Sequence, residues 1–214
     1  MPSNGKLIIN NGSENLAQFI SNGTVELYYD NVKTFHTKQN GVVVEGTEGA
    51  GAILEIRADE GDDNNDYFRF FADPSSSNLY VQNYASGSWE TNARFIGNGT
   101  TELWYDNSKK FETTSAGATI TGSLGIGTTS PAELLHLQST AGNTKLRLTQ
   151  SGSTTDAVNG AIHFGNSTSG QLTEIRGYTS GSANSGYLQF RTSNSGSSVN
   201  AMEINSTGRV DATT

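Results

Sequence analysis

A stretch of twenty-two residues that returns without a gap constrains this chain more than any other feature. ENLAQFISNGTVELYYDNVKTF at 14–35 comes back as ETNARFIGNGTTELWYDNSKKF at 90–111, an offset of 76 residues, with fourteen of the 22 positions identical. Self-similarity of this kind is the mark of a supersecondary unit used more than once, and not of one globular core. Each copy has an apolar pair (Phe19, Ile20; Phe95, Ile96), an Asn-Gly dipeptide (Asn22, Gly23; Asn98, Gly99) and an alternating run. Asn-Gly predicts a type I′ hairpin turn, which needs two positive φ angles. In the run that follows, the period of two puts Leu27 and Tyr29 on one face and Glu26 and Tyr28 on the other; Leu103 and Tyr105 likewise oppose Glu102 and Trp104. A second turn is expected at Asp30-Asn31 and Asp106-Asn107, before Phe35 or Phe111 opens another short strand.

Between and after the two copies, runs of four to six residues are separated by Gly, Ser and Asn. AILEIRA at 52–58 and TKLRLTQ at 144–150 alternate; YFRFF at 67–71, AIHF at 161–164 and YLQFR at 187–191 read as further strands, with a last one near Met202 to Ile204. The expected order is an N-terminal strand with the first connector (1–46), a β module (47–89), the second connector (90–140) and a second β module (141–214). The fold class is all-β: elongated, repeat-built β modules joined by β-hairpin-like connectors. Ser130-Pro131-Ala132-Glu133 has the spacing of a capping box and predicts one helical turn, with Leu134 to Leu137 returning to strand. No apolar stripe is long enough for a true helix.

Composition says how such a chain becomes stable. Ser, Thr, Asn and Gly make up 96 of the 214 residues, and Leu, Ile, Val and Phe only 43. That is about the one-fifth fraction at which highly charged chains stay disordered. With only 16% charged residues and its apolar residues in alternating groups, this chain reads as ordered. Copies that bury strands against one another supply the missing apolar burial, so self-association is expected on physical grounds.

The formal charge is −8 and the 13 Lys and Arg are dispersed, which disfavours nucleic acid and anionic membrane as partners. With no cysteine, disulfides and Cys-ligated zinc are excluded. Apolar runs such as Leu7 to Ile9 and Val42 to Val44 are far too short to span a membrane, and the start MPSNGK lacks the basic region of a secretion signal.

Catalytic chemistry finds no assembled set. His36, His136 and His163 lie far apart without metal-ligand spacing and read as structural or solvated. No Gly-x-Ser-x-Gly stands between a strand and a helix, and paired carboxylates flanking a sugar cleft, which a glycan hydrolase needs, have little room in short modules. The acidic run from Asp59 to Asp66 offers oxygen ligands for a hard cation but departs from the EF-hand pattern, and reads as a solvated loop tip. Gly125 and Gly127, in GSLGIGTTS, read as places of close chain approach or turning, since the Lys and long helix of a phosphate loop are missing. No metal or cofactor is implied. Trp89, with Tyr84 in NYASGSWETN, is the best candidate for contact with a glycan, because an aromatic face stacks on the apolar face of a sugar while neighbouring amides bond its hydroxyls. The competing role for Trp89 is packing between subunits. Trp104 and Tyr28, at matching repeat positions, read as packing residues. Five glycosylation sequons, from Asn11 to Asn205, follow from composition alone.

NGTTELWYDNSKKFETTSAGATITGSLGIGTTSPAELLHLQST at 98–140 resembles the linker that recurs in tail-fibre and related virion proteins of cyanophages and other marine tailed phages. NGTVELYYDNVKTF at 22–35 is a second instance, NAMEINSTGRV at 200–210 resembles the close of their β modules, and LGIGTTSPAELLHL at 124–137 is the most specific piece. The resemblance implies an intertwined homotrimer displayed on a virion, in contact with other virion proteins and with host cell-surface polysaccharide, and without catalysis. Its alternatives are a capsid decoration or head-fibre protein that does not bind a receptor, and a glycan-degrading tailspike. It also leads to the expectation of an N-terminal docking domain and a self-cleaving C-terminal chaperone domain. Neither is recognisable, which suggests a short fibre, a head decoration or one segment of a larger assembly.

Overall fold

The computed structural model describes residues 5–151, 156–166, 168, 172–182, 184–194 and 197–212. The chain forms two compact units, 1–140 and 141–214. One 3-10 turn aside, all regular structure among the described residues is β-strand, and no helix is long and apolar enough to cross a membrane.

In the first unit, β1 (Lys6–Asn11), β2 (Glu14–Ile20), β3 (Val25–Tyr29), β4 (Val32–Lys38) and β5 (Gly41–Val44) form an antiparallel meander in chain order. A second meander runs through β6 (Ala52–Arg57), β7 (Tyr67–Ala72), β8 (Asn78–Asn83), β9 (Glu90–Ile96), β10 (Thr101–Tyr105), β11 (Ser108–Thr114) and β12 (Gly117–Ile120). Because β9 pairs with both β8 and β10, this seven-stranded sheet continues without a break past residue 89. A small parallel pair follows, β13 (Leu124–Ile126) with β14 (Leu135–Leu137). The second unit is a five-stranded meander of β15 (Ala157–Phe164), β16 (Thr173–Thr179), β17 (Gly186–Asn194), β18 (Ser197–Ile204) and β19 (Val210–Ala212).

The two copies of the repeat fold alike down to single hydrogen bonds. Asn31 Oδ1 accepts from Asn15 N at 2.7 Å and Asn107 Oδ1 from Thr91 N at 3.2 Å; Thr37 Oγ1 accepts from Val25 N and Thr113 Oγ1 from Thr101 N, both at 2.9 Å. The turn chemistry differs from expectation. At Asn22-Gly23 only Asn22 has positive φ (57°), and Gly23 N donates to Ile20 O at 3.0 Å, the pattern of a type II turn. Glycine is needed there for space, since a Cβ on Gly23 would meet Ile20 Cγ2 at 2.8 Å. The type I′ turns sit instead at Asp30-Asn31 (φ 50° and 60°) and Asp106-Asn107 (50° and 52°), the two-residue links between Tyr29 and Val32 and between Tyr105 and Ser108.

Three further expectations are corrected. Ser130 to Glu133 forms no helical turn; Ser130, Ala132 and Glu133 lie in bends, and Ala132 N donates to His136 Nδ1 instead, at 3.1 Å. TKLRLTQ at 144–150 forms no strand, and its Leu146 and Leu148 are 61% and 45% exposed: it runs beside β15, where a Cβ on Gly160 would meet Leu148 Cβ at 2.6 Å and Gln150 Nε2 donates to Asn159 Oδ1 at 3.1 Å, without joining the ladder. The Asp59 to Asp66 loop is not wholly solvated, because Asn64–Asp66 is the 3-10 turn and Asp66 is buried in a capping box with Asp63. The glycine expectation fits: Gly127 has φ 78°, and a Cβ on Gly125 would meet Thr128 O at 2.6 Å.

Burial is inverted relative to an ordinary domain. Among the described residues the buried side chains are Asp66, Gln82, Glu102, Glu174, Thr179, Gln189 and a single apolar one, Ala17. Register explains the inversion, since directly paired residues share a face. One face of the seven-stranded sheet carries the row Leu54, Phe70, Val81, Ala93, Leu103, Phe111, Ile120, one apolar residue per strand. Its opposite face carries Tyr80, Arg94, Glu102 and Glu112 in one row. The first sheet repeats the arrangement with Ile9, Ala17, Leu27, Phe35, Val44, and the second unit with Ile162, Ile175, Phe190, Met202, Ala212. The apolar faces lie open, with Leu54 51%, Leu103 50% and Ile162 44% exposed, while the polar faces are knit together by ion pairs.

Candidate functional site

Tyr84 ends the ladder of β8 and Trp89 precedes β9, so the loop between them is held by both strands. Gly87 N donates to Tyr84 O at 2.8 Å and Ala85 N to Asn83 Oδ1 at 3.0 Å. The loop brings the two rings together at 5.1 Å between centroids, tilted by 59°. Tyr67, opening β7, meets Tyr84 edge to face at 6.1 Å. Alternation along YFRFF puts Tyr67 and Arg69 on the polar face and Phe68 and Phe70 on the apolar one.

Two arginines frame the rings. The Arg69 guanidinium lies 4.0 Å over the Trp89 ring while its Nε donates to Gln82 Oε1 at 2.7 Å, and burial pushes its pKa below the usual arginine value. Arg57 lies 5.0 Å over Tyr67 and donates from Nε to Glu55 Oε1 at 2.6 Å. Glu55, Arg57, Tyr67, Tyr84 and Trp89 line an open depression of about 330 Å³. The structure thus brings together the two residues singled out from sequence and adds three. The signal for Tyr67, Arg57 and Glu55 was present in the alternation of 52–58 and 67–71, but only register shows that these strands place them beside Trp89.

A second cluster is structural. Glu102, 2% exposed, accepts from Arg94 Nε at 2.7 Å and Nη2 at 3.0 Å, and from Trp104 Nε1 at 3.1 Å, with Lys109 Nζ 3.5 Å away. The Arg94 hydrogen bonds hold its carboxyl below the usual range. Its repeat counterpart Glu26 accepts from Tyr28 OH at 2.5 Å and Thr24 Oγ1 at 3.0 Å, with Lys33 at 3.5 Å; the Tyr28 bond lowers the carboxyl pKa and raises that of the phenol to about 12. Trp104 and Tyr28 therefore do more than fill space: each donates to a carboxylate under the sheet.

The histidines stay apart. His36 Nδ1 lies 3.3 Å from Glu45 and His163 Nε2 lies 3.4 Å from Glu174, while His136 accepts from the backbone. The one group of metal-ligating type among the described residues is Asp62, Asp63 and Asp66. Two of these three carboxylates already cap the 3-10 turn, accepting from Asn65 N and Asp63 N.

No protein-family model, no curated protein and no solved structure matches this chain.

Proposed function

We propose that the chain is a structural component of a phage virion fibre, assembled as an intertwined homotrimer and contributing to attachment to the host surface. The observation that carries this reading is the apolar face left open on every meander. On the seven-stranded sheet alone, Leu54, Ile56, Phe68, Phe70, Leu79, Phe95, Leu103 and Ile120 are between 39% and 51% exposed. At roughly 75 Å² each these side chains offer on the order of 600 Å² of apolar surface, and with Leu7, Ile9, Phe19, Leu27 and Val42 of the first sheet the total reaches the ~800 Å² per partner of a stable interface. A partner must present matching apolar faces in the same order along its length, and another copy of the chain does so. Polar faces knit by internal ion pairs would then point outward, which suits a shaft that must not aggregate sideways. The linker-like segments at 22–35 and 98–140 support placing such an oligomer on a virion.

Antibody labelling of purified phage particles tests the proposal. Labelled fibres on the tail are expected; labelling confined to the capsid would assign the chain to head decoration, and particles free of the protein would refute a virion role.

A further inference from the structure

We infer that the depression lined by Glu55, Arg57, Tyr67, Tyr84 and Trp89 binds a neutral pyranoside, a sugar ring carrying free hydroxyls and no charged group. This deepens the proposed attachment role and rests on it only in directing the polar face of the seven-stranded sheet toward solvent.

The rings are set as walls and not as a stacked core. Tyr67 and Tyr84 stand at 63° to one another and Tyr84 and Trp89 at 59°, all three half-buried and all lining the same depression. Arg69, anchored to Gln82, sits against the indole and fixes it, so the ring loses little freedom when a ligand arrives. Such rings present flat apolar surface to the C–H face of a sugar. Glu55 and Arg57 add hydrogen-bond acceptors and donors at the rim while remaining 30% and 59% exposed. Because they are paired with each other, their charges offset; Arg69, the remaining charge nearby, is bonded to Gln82 and stacked on the indole and does not line the depression, which leaves a lining that favours hydroxyls over a carboxylate or sulfate.

The second unit shows that these aromatics are not needed for the fold. Its sheet repeats the scaffold 107 positions later. Arg176 Nε donates to Gln189 Oε1 at 2.7 Å as Arg69 does to Gln82, and Arg176 lies 5.2 Å over Tyr178 as Arg69 lies 5.1 Å over Phe71. At the positions of Tyr67 and Tyr84 that scaffold carries Glu174 and Arg191. These form an ion pair at 3.3 Å with Glu174 only 4% exposed. One unit closes these positions with charge; the other leaves an aromatic-lined opening.

The test is saturation-transfer NMR on the full chain with methyl glucoside, methyl galactoside, methyl mannoside and their disaccharides, and with glucuronic acid, at about 1 mM and above, where weak sugar sites respond. Transfer to at least one neutral sugar is expected, weakened about tenfold or more by Trp89→Ala and by the double change Tyr67→Glu with Tyr84→Arg, which installs the ion pair of the second unit. Sedimentation of the same samples reads assembly separately. Loss of sugar binding with unchanged mass supports the site, and a wild-type monomer that still binds would overturn the fibre while leaving the site standing. Absence of transfer to every neutral sugar, preference for glucuronic acid, or binding untouched by the double change overturns it. So does a Trp89→Ala protein that loses its oligomeric mass, which would make the indole a subunit contact.

Discussion

Replacing Leu103 with serine tests which face of the seven-stranded sheet meets another copy. Leu103 sits near the middle of the apolar row, between Ala93 and Phe111, and is 50% exposed in the single chain. Full burial of a leucine is worth about 1.5–3 kcal/mol, so the half still exposed contributes about 1 kcal/mol per copy on association. Three copies lose about 3 kcal/mol together, a fall of roughly a hundredfold in the assembly constant. The matched control is Ile53→Ser. Ile53 is 42% exposed and pairs with Phe71, in the row of Tyr80, Arg94 and Glu102 on the opposite face. Sedimentation equilibrium across a concentration series should show the large shift for Leu103→Ser and less than about a threefold change for Ile53→Ser, because a side chain that stays in water loses no transfer energy. Equal shifts for the two variants would refute the assignment of faces.

Glu102→Ala leaves Arg94 without its buried partner and should cost about 3 kcal/mol in chemical denaturation at neutral pH. Glu26 and Glu102 have lowered carboxyl pKa values, so the stability they add is present above the ordinary carboxylate pKa and lost as pH falls through their folded values. Glu102→Gln should therefore flatten the acid limb of a stability profile, and an unchanged limb would contradict it. The Tyr28 phenol is raised to about 12, so its contribution is complete below the ordinary tyrosine pKa and lost as pH rises through about 12; Tyr28→Phe should remove a late-titrating phenol from the ultraviolet pH titration. Asn107→Ala should destabilise by about 1–2 kcal/mol through left-handed strain and the lost bond to Thr91 N, and Asn107→Gly should recover part of it by relieving the strain alone. Equal stability of these two variants would show that strain is not what the turn demands.

Much of the architecture was legible because alternation and punctuation are local. Leu27 and Tyr29 opposite Glu26 and Tyr28, the strands read at 52–58, 67–71 and 187–191, which are β6, β7 and part of β17, and the lack of long helices among the described residues all follow from period and turn residues. Turn type was harder: Asn22-Gly23 carries the type I′ signal, yet crowding against Ile20 gives its glycine a different task, and the type I′ geometry fell to Asp30-Asn31. TKLRLTQ shows the same limit, since alternation does not decide whether its backbone joins the ladder of β15 beside it. Alternation also says that two faces differ without saying which is covered. Nothing local in sequence reveals that Glu102 is buried while Leu103 beside it stays open. The matching Arg-Gln placement in the two sheets was hidden because between 67–84 and 174–191 only Arg69, Ser75, Tyr80 and Gln82 keep their identity. Trp89 and Tyr84 stood out by residue type, whereas Tyr67, Arg57 and Glu55 joined them only through register.

In the proposed fibre, identical chains complete the open apolar faces. Sedimentation equilibrium of the wild-type protein at micromolar concentration measures this most directly. A single species of three times 22.7 kDa is predicted. A stable 22.7 kDa species that unfolds cooperatively would contradict it.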